Sequence, residues 1–144
     1  MAINIANVTG SAQTGLTSPT YTVTPDTTPV NTVGKQVAVT GLGGTQAGVT
    51  LHSVSSPFTL AVFRPNALRV LPQAGANGVI RNIALNNYKV ITRKGVVPAV
   101  GQPTIVMPIK TEISVPAGAD SFDIVNVRAA LSAHIGLLQQ VSAS

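Results

Sequence analysis

The chain has 144 residues, enough for one domain, and 44% of them are hydrophobic while only 3% are aromatic. A core built mainly from Val, Ile, Leu and Ala suits a β-branched sheet. Charged residues make up 9% of the chain, against about a quarter in an ordinary soluble domain, so much of the surface is expected to lie against further copies. The absence of cysteine excludes a disulfide framework and any thiolate ligand or nucleophile.

The first residues, MAINIANVTG, hold no cationic segment leading into an apolar run, and no stretch approaches the roughly eighteen apolar residues of a membrane span. Neither a signal peptide nor a spanning helix is expected. Asn7-Val8-Thr9 matches a glycosylation acceptor, which has no meaning without a secretory route.

Charge is most informative by position. From Thr27 to Thr111 there is no acid, yet this stretch carries Lys35, Arg64, Arg69, Arg81, Lys89, Arg93, Lys94 and Lys110. Glu112, Asp120 and Asp123 then outweigh Arg128, giving a cationic body and a weakly anionic tail.

Short β-prone pieces come first, at Ile3 to Val8, Tyr21 to Thr24 and Gln36 to Thr40, separated by Pro-, Gly- and Thr-rich connections. Gly41 to Gly48, GLGGTQAG, reads as a flexible turn or loop; its glycines lack the Gly-Lys-Ser/Thr and following helix of a phosphate loop. Phe58 to Arg64 and Ala67 to Leu71 are strand-like, broken at Pro65-Asn66.

Val79 to Leu85 and Tyr88 to Lys94 then read as a hairpin turning on Asn86-Asn87, since paired asparagines tolerate positive φ. A two-residue loop puts Arg81, Ile83, Leu85, Tyr88, Val90 and Thr92 on one face. Asn82, Lys89, Ile91 and Arg93 fall on the other, which is mixed and cationic. Lys89 and Arg93 are then roughly 13 Å apart, a span that can straddle successive phosphates, and Asn82 offers a donor and an acceptor to a base edge. Solvated surface charge is the plainer alternative.

Gly95 to Pro103 forms a Gly- and Pro-containing loop before a long strand, Thr104 to Val115. There Ile105, Met107, Ile109, Ile113 and Val115 alternate with Thr104, Pro108, Lys110, Glu112 and Ser114. Pro108 points to a bulge or a sheet edge. After Pro116-Ala117-Gly118, a helix is expected from Asp120 to about Gln140, with Asp120 and Asp123 at the positive end of its dipole. Its apolar stripe is Ile124, Val127, Leu131, Ile135 and Leu138.

Catalysis needs titratable groups that converge, and the chain has only four acids and two histidines. His52 has no second ligand at recognisable spacing, and His134 borders the helix stripe. No enzymatic role, cofactor or metal is expected.

The hairpin NNYKVITRKGV, the loop VPAVGQP, the strand TIVMPIKTEISVP and the helix ADSFDIVNVRAALSAHIGLL together resemble the coat proteins of the levivirus-type single-stranded RNA bacteriophages, from about Phe58 to the C-terminus. The resemblance implies an α+β fold: an antiparallel β-sheet, made of an N-terminal hairpin and a multi-stranded meander, with a C-terminal helix packed on one face. As a single domain over 1–144 this divides into an N-terminal hairpin and loop region (1–56), a main sheet (57–115) and a helix (120–141). It also implies dimers joined through sheet edge and helices, an icosahedral shell around RNA, assembly in the bacterial host cytoplasm, and a second role as translational repressor on a genomic hairpin.

Carried to this sequence, the RNA-contacting residues are Asn82, Lys89, Ile91, Arg93, Lys110 and Arg69. Ile124, Val127, Leu131, Ile135 and Leu138 are the dimer residues. Gly95, Val96, Val97, Pro98 and Gly101 are placed in an inter-dimer loop. Relatives that grip a stem-loop often offer an aromatic ring to a base, whereas Tyr88 falls on the helix side, so general packaging is favoured over readout. A pilus-like or phage-tail β-subunit is the competing reading; it explains the low charge but not the acid-free cationic body.

Overall fold

A computed structural model describes residues 4–142. Six strands, β1 (Val8–Thr9), β2 (Leu16–Asp26), β3 (Val33–Gln46), β4 (Phe58–Arg64), β5 (Leu85–Val96) and β6 (Ile105–Pro116), form one antiparallel sheet in chain order. Two helices follow, α1 (Ala119–Phe122) and α2 (Ile124–Ser142). The expected antiparallel meander with a C-terminal helix is thus present, and β1 with β2 supplies its N-terminal hairpin. The strand expected from Ile3 begins outside the described residues, and of the rest only Val8–Thr9 pairs.

Strand alternation assigns two faces. On one, Val37, Val39, Phe58, Tyr88 and Val115 are buried, and Tyr21 meets Phe58 edge-on with ring centroids 5.6 Å apart. The N-terminal segment runs along this face, lining a hollow with Leu60, Val62, Val90 and Thr92. The opposite face carries small residues at its centre, with Thr59 and Ala61 buried among their strand neighbours.

The glycine-rich stretch from Gly41 is a strand over most of its length, because β3 continues to Gln46. Its partner β2 is irregular there, shifting register between Thr17 and Thr20, with Ser18 at φ 46°. A side chain at Gly44 (φ 71°) would run into the Thr17 and Ser18 carbonyl oxygens, so glycine lets the two backbones stay in contact across the bulge.

The expected turn at Asn86-Asn87 does not form. Both residues lie inside β5, and Val79 to Ala84 is irregular. Ala67 to Leu71 is irregular as well. Asn86 is 8% exposed, and its amide stands in for a strand neighbour: Oδ1 accepts from Arg69 N (2.8 Å) and Nδ2 donates to Arg69 O (3.0 Å). A paired carboxamide thereby closes the backbone groups of a segment that makes no ladder. Further on, Ala117 N donates to Ala84 O (2.9 Å).

Gly95 and Val96, expected in a loop, end β5 instead. Gly95 is buried, its N–H donates to Pro57 O (2.7 Å), and a side chain there would press on Ser56 and Thr104. Pro108 sits opposite Arg93 in an unbroken register from Leu85↔Pro116 to Val96↔Ile105, so it causes no bulge. It lies instead on the edge strand of the sheet, where a missing N–H can face away from the only neighbour.

The helix comes in two pieces rather than one starting at Asp120. Gly118 (φ 86°) precedes α1, and Asp123 (φ −125°, ψ 47°) interrupts the chain before α2. The Asp123 carboxylate accepts from Asn126 Nδ2 at 2.8 and 2.9 Å, and its main-chain oxygen accepts from Val127 N (3.2 Å) where α2 begins. α2 is held at both ends: α1 touches β6, and Gln13 Nε2 in the β1–β2 turn donates to Ser142 Oγ (2.8 Å). It buries no residue.

Replacing Asn86 with Ala removes both hydrogen bonds to Arg69 and should cost about 1 to 3 kcal/mol in urea unfolding at fixed protein concentration. Asn86→Asp keeps the acceptor, loses the donor and part-buries a charge, and should cost no less. A loss below about 0.5 kcal/mol for both would show that residues 65–84 are held by other means.

Candidate nucleic-acid interface

Residues directly opposite in an antiparallel ladder project to the same side. Lys89 is opposite Glu112 on β6 and Phe63 on β4; Ile91 is opposite Lys110 and Ala61; Arg93 is opposite Pro108 and Thr59. Lys89, Ile91, Arg93 and Lys110 therefore share one face, as expected from alternation. Tyr88, Val90 and Thr92 lie on the other.

Two acids temper this face. Glu112 stands beside Lys89, outside the acid-free stretch by a single position. Asp26 lies at the far side opposite Gln36. The Gln36 amide (2.8 Å) and the Thr27 N–H (2.8 Å) hold its carboxyl below the usual value, so it stays ionised at neutral pH. The cationic part of the face is thus confined to β5 and β6.

Lys94 does not belong to it. Its Nζ donates to Thr50 O (2.9 Å) and Thr50 Oγ1 (2.7 Å) and lies 4.8 Å from the centre of the Phe58 ring, on the opposite face. Burial pushes its pKa down. Tyr88, whose pKa is raised by burial and then by Asp120, is on that opposite face too.

Asn82 is displaced from its expected place beside Lys89. The hairpin that put it there does not form, and it lies in the irregular segment with Pro72, Gly75, Asn77 and Arg81. Arg69 is tied through its backbone to Asn86, which alternation puts on the Tyr88 face of β5 and not on the Lys89 face. It joins Arg64, Lys89 and Arg93 around a concavity of about 910 Å³ at one end of β3, β4 and β5. Phe63 and Leu85 are in its wall, as are Asn31, Asn66 and Asn87. Arg64, Phe63 and Asn87 escaped sequence reasoning because their neighbourhood depends on the path of residues 65–84, which no periodicity announces.

A second feature is the groove between β6 and α2, of about 480 Å³, lined by Ile113, Val115, Val127, Ala130, Leu131 and His134 among others. Of the expected helix stripe, Ile124, Val127 and Leu131 are half-buried, while Ile135 and Leu138 are 63% and 44% exposed. In the β5–β6 loop, Val97 and Val100 are exposed and Gly101 takes φ 77°. His52 is structural: its Nδ1 accepts from Phe58 N (3.0 Å) and its own N–H donates to Val39 O (3.0 Å). No cluster of metal-ligating side chains occurs among the described residues.

A six-stranded antiparallel meander with one C-terminal helix beyond its edge is a phage coat protein fold. The chain is similar to a subunit of the virus-like particle of bacteriophage ESE020, at 57% identity and a TM-score of 0.84, covering 99% of this chain and 93% of that one. The chain belongs to this family of bacteriophage capsid proteins, and its role is structural, in the virion shell. No family model and no curated protein matches it.

Proposed function

We propose that this protein forms homodimers that assemble, in the host cytoplasm, into an icosahedral shell around single-stranded RNA, as one coat-protein domain of the levivirus type and without catalytic activity. The observation that carries the RNA reading is the open sheet face with Lys89, Arg93 and Lys110 aligned across β5 and β6, opposite the face of Tyr88 and Val115. Ile91 sits among them as an apolar contact, and Arg69 adds charge from the flanking segment. Asn82, off the sheet, is no longer proposed as a base reader beside Lys89. A fibre-forming tail or pilus subunit has no use for such a face, and similarity to a virus-like particle favours the shell.

The dimer reading rests on the helix. α2 is anchored at its ends and buries no residue fully, so its apolar residues and the groove beside β6 call for a second helix. Ile124, Val127 and Leu131 line or border that groove, with Ile135 and Leu138 continuing the stripe into solvent. The free edge of β6 is the natural seam for sheet pairing. The exposed β5–β6 loop, with Val97, Pro98 and Gly101, is the proposed contact to neighbouring dimers around the symmetry axes, held from the end of β5 by Gly95 and Val96. Binding of a genomic hairpin as translational repressor is a further role of the same face.

Neutralising Lys89 and Arg93 together should weaken RNA binding and flatten its log–log salt dependence by up to about two units, roughly 0.7 to 0.9 per lost phosphate contact. Filter binding at several salt concentrations measures this, and an unchanged slope assigns the RNA to another surface. Leu131→Asp or Ile135→Asp should give insoluble or unfolded protein, because a charge enters the helix interface. Soluble, folded monomer on size exclusion would count against that interface. Deleting Val97 to Val100 should leave dimers and abolish or alter shells in electron micrographs; loss of the dimer itself would contradict the loop assignment.

A further inference from the structure

The segment between β4 and β5 is loosely secured. From Pro72 to Ile83, among the described residues, two backbone-to-backbone hydrogen bonds form, Gly78 N to Gly75 O (2.9 Å) and Gly75 N to Val79 O (3.3 Å). They close a tight turn, Gly75-Ala76-Asn77-Gly78, with Gly78 at φ 76° and every residue of the turn exposed. One side-chain bond joins them, from Val79 N to Asn77 Oδ1 (3.3 Å). A turn with so few bonds, all open to water, unfolds locally at small cost.

Asn77 is the one asparagine in the chain that glycine follows. Glycine has no Cβ to shield its own nitrogen, so the Gly78 amide can reach Cγ of the Asn77 side chain and close a five-membered ring. Nothing lies within 4 Å of where a Gly78 Cβ would stand, so the ring has room. The Val79 N–H already donates to Oδ1, the atom on which negative charge collects as the ring closes. Arg81 shares the surrounding concavity of about 450 Å³, whose wall holds no acid, and its guanidinium favours both that charge and the carboxylate that follows. The bond from Gly78 N to Gly75 O opposes the step by holding the proton of the nucleophile, and opening of the turn releases it.

We propose that Asn77-Gly78 is a self-modifying site, at which the asparagine amide is lost to water through a cyclic imide. The Gly78 N–H gives its proton to hydroxide, the nitrogen bonds to Asn77 Cγ, and the Cγ–Nδ2 bond breaks as the leaving nitrogen takes a proton from water and departs as ammonia. Water then adds to one of the two imide carbonyls and opens the ring. Attack at Cγ leaves aspartate, and attack at the main-chain carbon leaves isoaspartate. Each event lowers the subunit's formal charge of +5 by one and puts an anion into the acid-free stretch from Thr27 to Thr111. The site stands apart from the RNA reading, since it needs no partner but water.

Trypsin releases Val70 to Arg81 as one peptide, in which Asn77 is the only asparagine. After full-length protein is held at mildly alkaline pH, mass spectrometry should show this peptide gaining the mass of an amide-to-acid exchange, in two chromatographically separate forms, at a rate rising in proportion to hydroxide. Protein digested without incubation sets the conversion borne by digestion, and methylation by a protein isoaspartyl methyltransferase identifies the isoaspartate form. Asn31, Asn66 and Asn87, exposed but followed by Thr, Ala and Tyr, should keep their amides over the same interval. Asn77→Gln, which would have to close a six-membered ring, should abolish the acidic form on isoelectric focusing. A synthetic Val70 to Arg81 peptide fixes the interval in which an unrestrained Asn-Gly pair converts. Protein that keeps Asn77 intact over several such intervals would overturn the site, because the turn would then be protecting it. Equal conversion at Asn31 or Asn66 would overturn it too, as would aspartate at position 77 without isoaspartate, the mark of direct hydrolysis.

Discussion

The helix that follows the sheet is tied down at its ends and left half-covered between them. α1 rests against β6 and Ser142 is tied to Gln13, and between those points α2 buries no side chain fully. Apolar surface that a larger domain would close with its own second layer remains open along the groove beside Val115, Val127 and Leu131. The edge strand β6 is open as well, with Ile105, Met107 and Ile109 at 57%, 42% and 49% exposure. For a chain with only nine per cent charged residues, such surface is a liability in isolation and an asset in a shell. The structural role within the phage capsid family and the unfinished helix layer therefore describe the same physical fact from two sides.

The second dependence is on the period of two along β5 and β6. Because adjacent residues point to opposite faces, Lys94 and Arg93 have different fates although they are neighbours in sequence. Lys94 is folded onto Thr50 and Phe58 and contributes to packing. Arg93 stays on the open face with Lys89 and Lys110. A one-residue slip would bury the cations and expose Tyr88, so the register that supports the core on one side also sets the chemistry of the other.

Much of this was legible in the sequence wherever alternation was strong. The faces of Tyr88 to Lys94 and of Ile105 to Val115 follow from their patterns, and Pro108 correctly pointed to an edge. The failures are local competitions that a pattern cannot resolve. Asn86-Asn87 has turn chemistry, but Asn86 uses its amide to bind the Arg69 backbone and stays in a strand. Gly41 to Gln46 has loop composition, yet close approach of Thr17 and Ser18 gives those glycines a place in β3. Asp120 has the look of a cap, while Asp123 and Asn126 restart the helix three residues later. The misplacement of Asn82 and the omission of Phe63 and Arg64 follow from the first of these, since all three depend on how residues 65–84 are tied to β5.

The central claim is that the face bearing Lys89, Arg93 and Lys110 looks inward to RNA while the helices pair on the outside. An electron cryomicroscopy reconstruction of particles purified from an expressing host tests it most directly. The account predicts closed icosahedral shells, helices paired between subunits on the outer surface, and nucleic-acid density against β5 and β6 within. Fibres or rings, or shells with that face turned to solvent and no internal nucleic acid, would contradict it.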